Sequence, residues 1–388
     1  MLTEKELEKA LDVLVGRLDE VNSFYIAKVA AQIKKIGALN QSSINRLVIM
    51  AEMAEDVGEI NRMLQEATGY NVRDMMKIYQ AALTSLYTDQ RFSRVLTKTP
   101  LSPDAKNRMN HLAQTISMQS GQSMFNLSNT TIVSQSYRTA VDKAILAATT
   151  GVGSYTEAMR QTIRDLGYNG MQVKYPSGYH RRLDSAVRQN IIDGVKQINQ
   201  NGSILMGEAL GFDAYEISAH ANSAPDHEPV QGRVFLKEEY ERMQSGLSFT
   251  DIDGRTYPGF KRPIAEWNCM HIAMSFSTQH SVRRYTSDQL DKFARDNNSG
   301  CVIDGKRYTK YKASQLMRRI ETEVRRQKDA ANAAYAAGDD VLRRECQSRI
   351  NLLAAKYSAV SKASGLPQHK NRMVVEGFKP VKDMISRK

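Results

Sequence analysis

The amino-acid sequence predicts a mainly α-helical fold that carries one small α+β module. Apolar residues recur three and four positions apart over long stretches at both ends of the chain, which is the spacing of a single buried helix face. Between Gly211 and Phe276 the pattern changes to short extended segments separated by glycine and proline. We therefore predict a helical N-terminal bundle over 1–165, a central mixed module over 166–280, and a basic helical hairpin with a tail over 281–388.

The N-terminal region begins with a long amphipathic helix whose apolar face ends at Gly37. Asn40 or Ser42 is placed to cap a second helix, whose apolar face lies before Gly58. Core packing explains both faces better than a methionine-rich binding groove does. The first face comprises Leu7, Leu11, Leu14, Leu18, Val21, Tyr25, Ile26, Val29, Ile33 and Ile36, and the second comprises Ile44, Leu47, Val48, Met50 and Met53.

The stretch from residue 102 to residue 150 contains few residues that would interrupt a helix. It opens with Ser102 and Pro103, a hydroxyl cap before a proline at the first helical position. Its middle is rich in glutamine, serine and asparagine, so we predict a helix that depends on packing against neighbours. Ser154 and Glu157 then form a capping-box pattern that starts another helix.

The predicted helices of the second half also have apolar faces. One helix precedes residue 210, and a helical hairpin spans 312–363 with a break and a cap at Gly338 and Asp339. The first of these faces comprises Val187, Ile191, Val195 and Ile198; the hairpin arms are marked by Leu316, Ile320 and Val324 and by Leu342, Ile350, Leu353 and Tyr357.

Composition excludes several classes of protein. With 388 residues, 41% hydrophobic and 25% charged, the chain is long and apolar enough to fold around a buried core, which excludes a peptide hormone and a wholly disordered chain. No run of eighteen apolar residues occurs, so we expect a soluble protein with no membrane partner. The three cysteines are far apart and indicate a reducing compartment such as a cytoplasm.

The positive charge is concentrated near the C-terminus. Residues 281–388 contain 24 lysines and arginines against 12 acidic residues, whereas residues 1–280 contain 30 of each. Such a surplus favours a polyanionic partner, although a solvated helix face would have the same composition. Two pairs of neighbouring arginines lie seven positions apart in the first arm of the hairpin, which places them on one side of the helix. We predict that this basic surface, the arginine ledge, contacts nucleic acid; it comprises Arg318, Arg319, Arg325 and Arg326.

Metal-capable side chains cluster in the mixed module. His220 and His227 lie near its start, and Cys269 and His271 lie near its end. Zinc accepts imidazole and thiolate in a tetrahedral shell, so these four residues are the predicted zinc ligands. Alternate residues of an extended segment share a face, which lets Cys269 and His271 point at one ion. The competing interpretation makes the cysteine a small buried apolar residue and lets the histidines bond backbone carbonyl groups.

The same side chains also allow a catalytic hypothesis. Two histidines and Asp226 could cleave a phosphodiester by general acid-base catalysis. The sequence contains no glycine-rich phosphate loop, no nucleophile elbow and no carboxylate series for two metals, which disfavours an enzyme.

At these residues the sequence resembles the phage minor capsid protein 2 family, within the wider phage head-morphogenesis group. The resemblance covers most of 170–365. The chain departs from the family signature at Ala224, where arginine is frequent, and at Met270, where the family commonly reads Asn-Cys-Arg-His. The matching motifs are Ser218-Ala219-His220, Ala224-Pro225-Asp226-His227, Gln231-Gly232-Arg233-Val234-Phe235 and Asn268-Cys269-Met270-His271.

The resemblance implies a minor structural protein of a tailed-phage head, inside the capsid or near the portal, and no enzymatic turnover. It implies the portal or major capsid protein as partner, no small-molecule substrate, and a host cytoplasm during assembly. We add the expectation that the basic hairpin contacts packaged double-stranded DNA. A small nuclease or hydrolase that uses the histidine cluster is the main alternative, and a host nucleic-acid-binding protein unrelated to virions is a weaker one.

Overall fold

The computed structural model describes residues 4–38, 43–129, 131, 133–150, 155–265 and 269–381. Of the described residues 68% are helical, which confirms the predicted mainly α fold with a small α+β module. Within these residues the α-helices are α1 Glu4–Ala38, α2 Ser43–Tyr87, α3 Gln90–Leu96, α4 Pro103–Asn129, α5 Val133–Thr150, α6 Tyr155–Asn169, α7 Leu183–Ala209, α8 Lys237–Gln244, α9 Ser287–Ser299, α10 Lys310–Ala337 and α11 Asp340–Ser364. No helix in the described ranges is long and apolar enough to cross a membrane.

The strands are short and pair only in antiparallel fashion. One three-stranded sheet has the order β4-β3-β7, and three two-stranded hairpins accompany it. The strands are β1 Gln172–Lys174, β2 His180–Arg182, β3 Ala214–Ile217, β4 Val234–Leu236, β5 Phe249–Thr250, β6 Thr256–Tyr257, β7 Ala273–Phe276, β8 Cys301–Ile303 and β9 Lys306–Tyr308.

The chain forms two compact units, each assembled from three separate stretches. Unit 1 comprises Met1–Leu7, Asp74–Gly121 and Ile191–Gln315, and unit 2 comprises Glu8–Arg73, Gln122–Asn190 and Leu316–Lys388. Each unit therefore takes residues from all three regions that were defined from the sequence. The regions 1–165, 166–280 and 281–388 mark changes of pattern along the chain and do not coincide with these units.

Unit 1 is built around the three-stranded sheet. All four residues of β3 and all four of β7 are buried, so both faces of the central pair are covered. On one face Gly207 of α7 approaches Ser275 so closely that a β-carbon would lie 2.3 Å from the Ser275 side chain. The main apolar cluster of the module comprises Tyr215, Ile217, Val230, Phe235, Tyr240, Met243, Phe249, Ile264 and Ala273.

Unit 2 contains the apolar face of α1. The predicted stripe from Leu11 to Ile36 is buried throughout, which confirms that part of the sequence interpretation. Tyr25 packs edge-on against Tyr137 with ring centroids 6.5 Å apart, and Tyr137 donates a 2.7 Å hydrogen bond to Asp56 of α2. An aromatic pair with a satisfied hydroxyl group thus anchors this core.

The second helix differs from the prediction. It continues through Gly58 to Tyr87, and its buried residues near the start are Ile49 and Met53, while Val48 is 50% exposed. Met50 is exposed as well, and the side chains of Ile44 and Leu47 lie outside the described residues, as do Asn40, Ser42 and the predicted cap at Ser154. A glycine inside a long helix costs only about 1 kcal/mol, which the surrounding packing offsets.

The break after α4 also corrects a sequence expectation. The stretch predicted to run from residue 102 to residue 150 divides into α4 and α5. The cap itself is confirmed, because the backbone N–H of Ala105 donates to the Ser102 hydroxyl at 3.1 Å. Three serines of α4 are buried, and one of them, Ser128, lies within hydrogen-bond distance of Thr68 and donates to the backbone carbonyl of Met124.

Helices α10 and α11 form the predicted hairpin. Asp339 caps α11 by accepting a hydrogen bond from the backbone N–H of Leu342, and Gly365 ends α11 in the left-handed conformation. The face Val187 to Ile198 of α7 is buried as predicted, and so are Ile320 and Val324 of α10.

The segment after α11 returns to the first helix of unit 2. Arg372 donates to Glu8 at 2.8 Å, Asn371 donates to Asp12, and the Ser23 hydroxyl donates to the backbone carbonyl of Glu376. Residues more than 350 positions apart in sequence are therefore held together by polar contacts.

A buried group of charges also lies in unit 2. Arg182 pairs with Asp329 at 2.7 Å and with Asp184 at 3.4 Å, and Arg325 pairs with Asp184 at 2.6 Å. Burial, together with the neighbouring carboxylates of Asp184 and Asp329, raises the pKa of Asp19 to about 8 against the pull of the two arginines. Three carboxyl groups face two guanidinium groups, so the charges balance when one carboxyl group is protonated; burial raises the pKa of Asp329 as well.

Candidate functional site

The antiparallel pairing of β3 with β7 brings two distant segments together. Ile217 at the end of β3 lies opposite Ala273 at the start of β7, and the backbone N–H of Ser218 donates to Ile272 at 2.9 Å. Residues that follow β3 therefore lie beside residues that precede β7. This pairing positions the metal-capable side chains that the sequence singled out.

Three of the four predicted ligands meet in one place. The Sγ atom of Cys269 lies 3.3 Å from Nδ1 of His227 and 3.5 Å from Nδ1 of His271. One donor atom from each of the three residues lies within 4.8 Å of the others. Met270, between the two, is exposed, so the predicted alternation of the Cys269–His271 segment is present.

Hydrogen bonds on the far side of each ring fix the tautomers. Nε2 of His227 lies 2.8 Å from the backbone carbonyl of Arg262, an acceptor, so this nitrogen carries the proton. Nε2 of His271 lies 3.1 Å from Oε1 of Gln231, which already accepts from the backbone N–H of His220 at 2.8 Å. Nδ1 of His271 thus has a lone pair directed at the sulfur, and Nδ1 of His227 faces the same sulfur.

Burial and mutual contact shift the pKa values of all three groups. Burial alone would raise the pKa of the Cys269 thiol, but hydrogen bonds from His227 and from the backbone outweigh it and lower that pKa. Burial opposes the charged form of His227, yet its contacts with Cys269 and Arg262 raise its pKa. Burial, with the neighbouring histidines, lowers the pKa of His271 to about 2, so its ring is neutral.

His220 does not join the other three as a ligand. Its Nδ1 lies 3.0 Å from the carbonyl of Ala221, and its ring lies against His271 with centroids 4.5 Å apart. Asp226, the predicted catalytic carboxylate, pairs with Arg262 at 2.8 Å on the surface. The structure therefore brings together His227, Cys269 and His271 and places His220 in the layer outside them.

Sequence reasoning missed the residues that orient the cluster. Gln231 was quoted as part of a motif, but its amide oxygen is what fixes His271 and the backbone of His220. Lys196 of α7 donates to the backbone carbonyl of Cys269 at 2.7 Å, a contact between residues 73 positions apart. No local pattern indicates a partner at that distance, so only the Gln231 motif offered a signal.

Two residues beside the cluster adopt unusual backbone angles. Asn222 and Ala265 have φ values of 61° and 67°, in the left-handed region that costs most residues about 1–2 kcal/mol. Asn222 follows His220, and Ala265 precedes Cys269 by four positions. Asparagine adopts this region more readily than other residues, so the strain lies at Ala265, in the segment that leads to Cys269.

The geometry limits the chemistry of this site. His227 is 1% exposed, and Cys269 and His271 are each 2% exposed. A thiol beside a histidine has the contact that a nucleophile needs, but a substrate must reach the sulfur. Two nitrogens and one sulfur that converge in a buried position suit a bound metal ion or a closed hydrogen-bond network.

The predicted arginine ledge is only partly present. Arg318 and Arg319 are exposed, and Arg326 is half-buried beside Tyr168 and 3.8 Å from Glu323. The side chain of Arg325 is only 14% exposed, because its guanidinium group pairs with buried Asp184. This ion pair removes Arg325 from any surface that could contact DNA.

Comparison with known proteins identifies one family. The sequence profile of phage minor capsid protein 2 matches residues 2–359, nearly the whole chain. No protein with a curated description and no solved structure matches significantly. The match includes the helices of both units and the His227–Cys269–His271 cluster. The chain therefore belongs to the phage minor capsid protein 2 family, which makes it a component of the phage head.

Proposed function

We propose that this chain is a structural subunit built into the head of a tailed phage, inside the capsid and near the portal, during assembly in the host cytoplasm. The family match over residues 2–359 is the observation that carries the proposal. Capsid proteins are the partners that this family implies. The protein acts by occupying a place in the particle and has no small-molecule substrate.

The burial of the cysteine–histidine cluster supports a role without turnover. Each of the three side chains is at most 2% exposed, so a substrate would have to open the module before it met the thiol. A hydrolase of the kind considered from the sequence needs its histidines in contact with substrate. Multiple turnover on a nucleic acid or ester substrate, abolished by His227→Ala in a folded protein, would establish the enzyme instead.

Docking on the portal or major capsid protein is assigned to the helical N-terminal half. On α2 of unit 2 two large apolar side chains are exposed, Val48 at 50% and Met50 at 54%. Large apolar side chains that are exposed on a helix are candidates for contact with another protein. We expect the double variant Val48→Glu, Met50→Glu to fold but to be missing from purified heads, whereas Val302→Glu, an exposed residue of β8, is incorporated normally.

Contact with packaged double-stranded DNA is assigned to α10. Residues 281–388 supply the positive charge, with 24 basic against 12 acidic residues. Of the arginine ledge, Arg318, Arg319 and Arg326 can reach solvent. Arginine and lysine beside phosphates release condensed counterions, so the affinity falls steeply with salt.

Salt-dependent binding tests this role of α10. We expect Arg318→Ala and Arg319→Ala together to lower the slope of log affinity against log salt by about 1 for each phosphate that is no longer neutralised. Lys77→Ala, which removes an exposed cation of α2, is the matched control and should leave the slope unchanged. An unchanged slope in the double arginine variant would exclude α10 as the DNA-binding element.

Location is tested in purified particles. Inside the capsid, the protein should resist added protease in intact heads and become sensitive once the heads are opened. Crosslinking in intact heads should join it to the portal. Sensitivity in intact heads would place the protein on the outer surface and contradict the interior location.

A further inference from the structure

We propose that Nδ1 of His227, Sγ of Cys269 and Nδ1 of His271 bind one zinc ion that holds the two segments of the mixed module together. This inference is independent of where the protein lies in the phage head. It replaces the four-residue set predicted from the sequence with three ligands and excludes His220.

The spacing of the donor atoms fits a tetrahedral ion. With Zn–S near 2.3 Å and Zn–N near 2.0–2.1 Å, two ligands of a tetrahedron lie about 3.5 Å apart. The sulfur of Cys269 lies 3.3 Å and 3.5 Å from the two nitrogens. Both sulfur-to-nitrogen separations thus match those of ligands around zinc, and all three residues have donor atoms within 4.8 Å of one another.

The count of protons gives a second, independent argument. The hydrogen bonds to Arg262 and Gln231 occupy Nε2 of both rings, so both Nδ1 atoms face one sulfur. One proton, on the sulfur or on Nδ1 of His227, cannot serve both nitrogens. A buried acceptor without a donor costs about 1–3 kcal/mol, whereas a cation satisfies both nitrogens and the sulfur at once.

The groups that hydrogen-bond to the proposed ligands are of the kind found in zinc sites. Metal-bound histidines typically donate their other N–H to a carbonyl or carboxylate, which holds the ring in place. His227 donates to the Arg262 carbonyl and His271 donates to the Gln231 amide oxygen. Lys196 fixes the backbone carbonyl of Cys269. Each of the three ligands is therefore oriented from outside the cluster.

The donor set favours zinc over magnesium and calcium. One thiolate and two imidazoles in a tetrahedral arrangement suit zinc, whereas magnesium and calcium prefer oxygen ligands. On binding, the Cys269 thiol loses its proton to solvent and the sulfur forms a bond to the metal. The described residues supply three donors, and the fourth position is open to a small ligand such as water.

The function of such an ion would be to close the module. His227 lies just before the 3₁₀ turn Glu228–Val230, and Cys269 and His271 lie just before β7. The strained angle of Ala265 occurs in the segment that leads to Cys269. Metal binding offsets this strain, because its free energy becomes part of the free energy of folding.

Metal analysis of the purified full-length protein tests the proposal. We expect about one zinc per chain after reconstitution with zinc chloride, and zinc removal by a chelator should lower the unfolding temperature reversibly. Cobalt(II) should replace zinc and give the absorption of a thiolate-bound tetrahedral ion. A metal-free wild-type protein after reconstitution, with no cobalt spectrum, would overturn the proposal.

Variants identify the ligands. Cys269→Ser should lose the sulfur-to-cobalt absorption, and His227→Ala and His271→Ala should each bind zinc at least tenfold more weakly. Cys301→Ser and His220→Ala are the matched controls and should keep stoichiometric metal. Circular dichroism identifies variants that remain folded, and the cobalt spectrum of the wild-type protein keeps the test decisive if a ligand variant unfolds. Loss of metal in His220→Ala, or its retention in Cys269→Ser, would contradict the three-ligand site.

Discussion

The hydroxyl group of Tyr357 on α11 donates a 2.6 Å hydrogen bond to the buried carboxylate of Glu321 on α10. The two residues are equally distant in sequence from Asp339, the cap between the helices. The same hydroxyl accepts a hydrogen bond from the backbone N–H of His369 at 2.9 Å. One side chain thus joins both arms of the hairpin to the segment that follows them.

We expect Tyr357→Phe to lower the free energy of unfolding by about 1–3 kcal/mol, because it removes the hydrogen-bond donor to Oε1 of Glu321 and the acceptor of the His369 N–H. Burial and the Glu321 carboxylate raise the pKa of Tyr357 to about 12, so the hydroxyl remains a donor at neutral pH. Denaturant unfolding measures the loss. Tyr335→Phe, on the 65% exposed ring of α10, is the control and should change stability by less than about 0.5 kcal/mol. Equal stability of the two variants would show that the Tyr357 bond contributes nothing.

Asp19 should make unit 2 less stable as the pH rises. Its pKa is about 8 in the folded protein against 3.8 ordinarily, so between these values the folded state binds a proton that the unfolded state has released. The stabilisation that the protonated Asp19 contributes is therefore fully present below about pH 4, and it is lost as the pH rises from there through 8. Asp184, Asp329, Arg182 and Arg325 are the charged groups that face it.

Asp19→Asn removes this dependence, since the amide stays neutral at every pH. The variant should gain stability over the wild type progressively from pH 4 to pH 8, as measured by denaturant unfolding at a series of pH values. Asp142→Asn, at an exposed position of α5, is the control and should show no such gain. A constant difference between Asp19→Asn and the wild type across this range would contradict a protonated Asp19.

Gly167 of α6 should tolerate no side chain. A β-carbon there would lie 2.3 Å from the backbone of Ala330 in α10, a distance at which one helix must move. We expect Gly167→Ala to destabilise the protein by about 1–3 kcal/mol. At Gly58, inside α2, a β-carbon meets nothing within 4 Å, so Gly58→Ala should stabilise by up to about 1 kcal/mol. Thermal unfolding of the pair checks both signs, and a stabilised Gly167→Ala would contradict the close approach.

Ala265→Gly should stabilise the mixed module. The φ of 67° at Ala265 is strained for alanine and favourable for glycine, so we expect a gain of up to about 1 kcal/mol in the free energy of unfolding. Ala221→Gly, in the neighbouring segment without a positive φ, should instead lose stability. A loss in both variants would mean that the backbone at residue 265 is not strained.

The helical faces could be predicted because they depend on local spacing. The stripe from Leu11 to Ile36 follows from a period that every buried helix shares, and the Asp339 cap follows from a side chain that reaches its own helix. The buried face of the second helix could not be predicted with the same success, because Val48 and Met50 are apolar but exposed. Nothing in their spacing distinguishes an apolar residue that packs in the core from one that remains on the surface.

The candidate site was predictable to the extent that its ligands are marked by residue type. Cys269 and His271 lie two positions apart, which places them on one side of an extended segment. His220 was included on the same grounds, yet its backbone and Nδ1 are engaged elsewhere. The distant partners Gln231 and Lys196 depend on tertiary packing, as does the ion pair that removes Arg325 from the surface.

The return of residues 371–376 to the first helix has a consequence for synthesis on the ribosome. Glu8, Asp12 and Ser23 are synthesised more than 350 residues before their partners Asn371, Arg372 and Glu376. Contacts of such long sequence separation form late and slowly. These contacts of unit 2 therefore form only after residues 371–376 have been made, and a translation product that is interrupted before them would leave α1 without these partners.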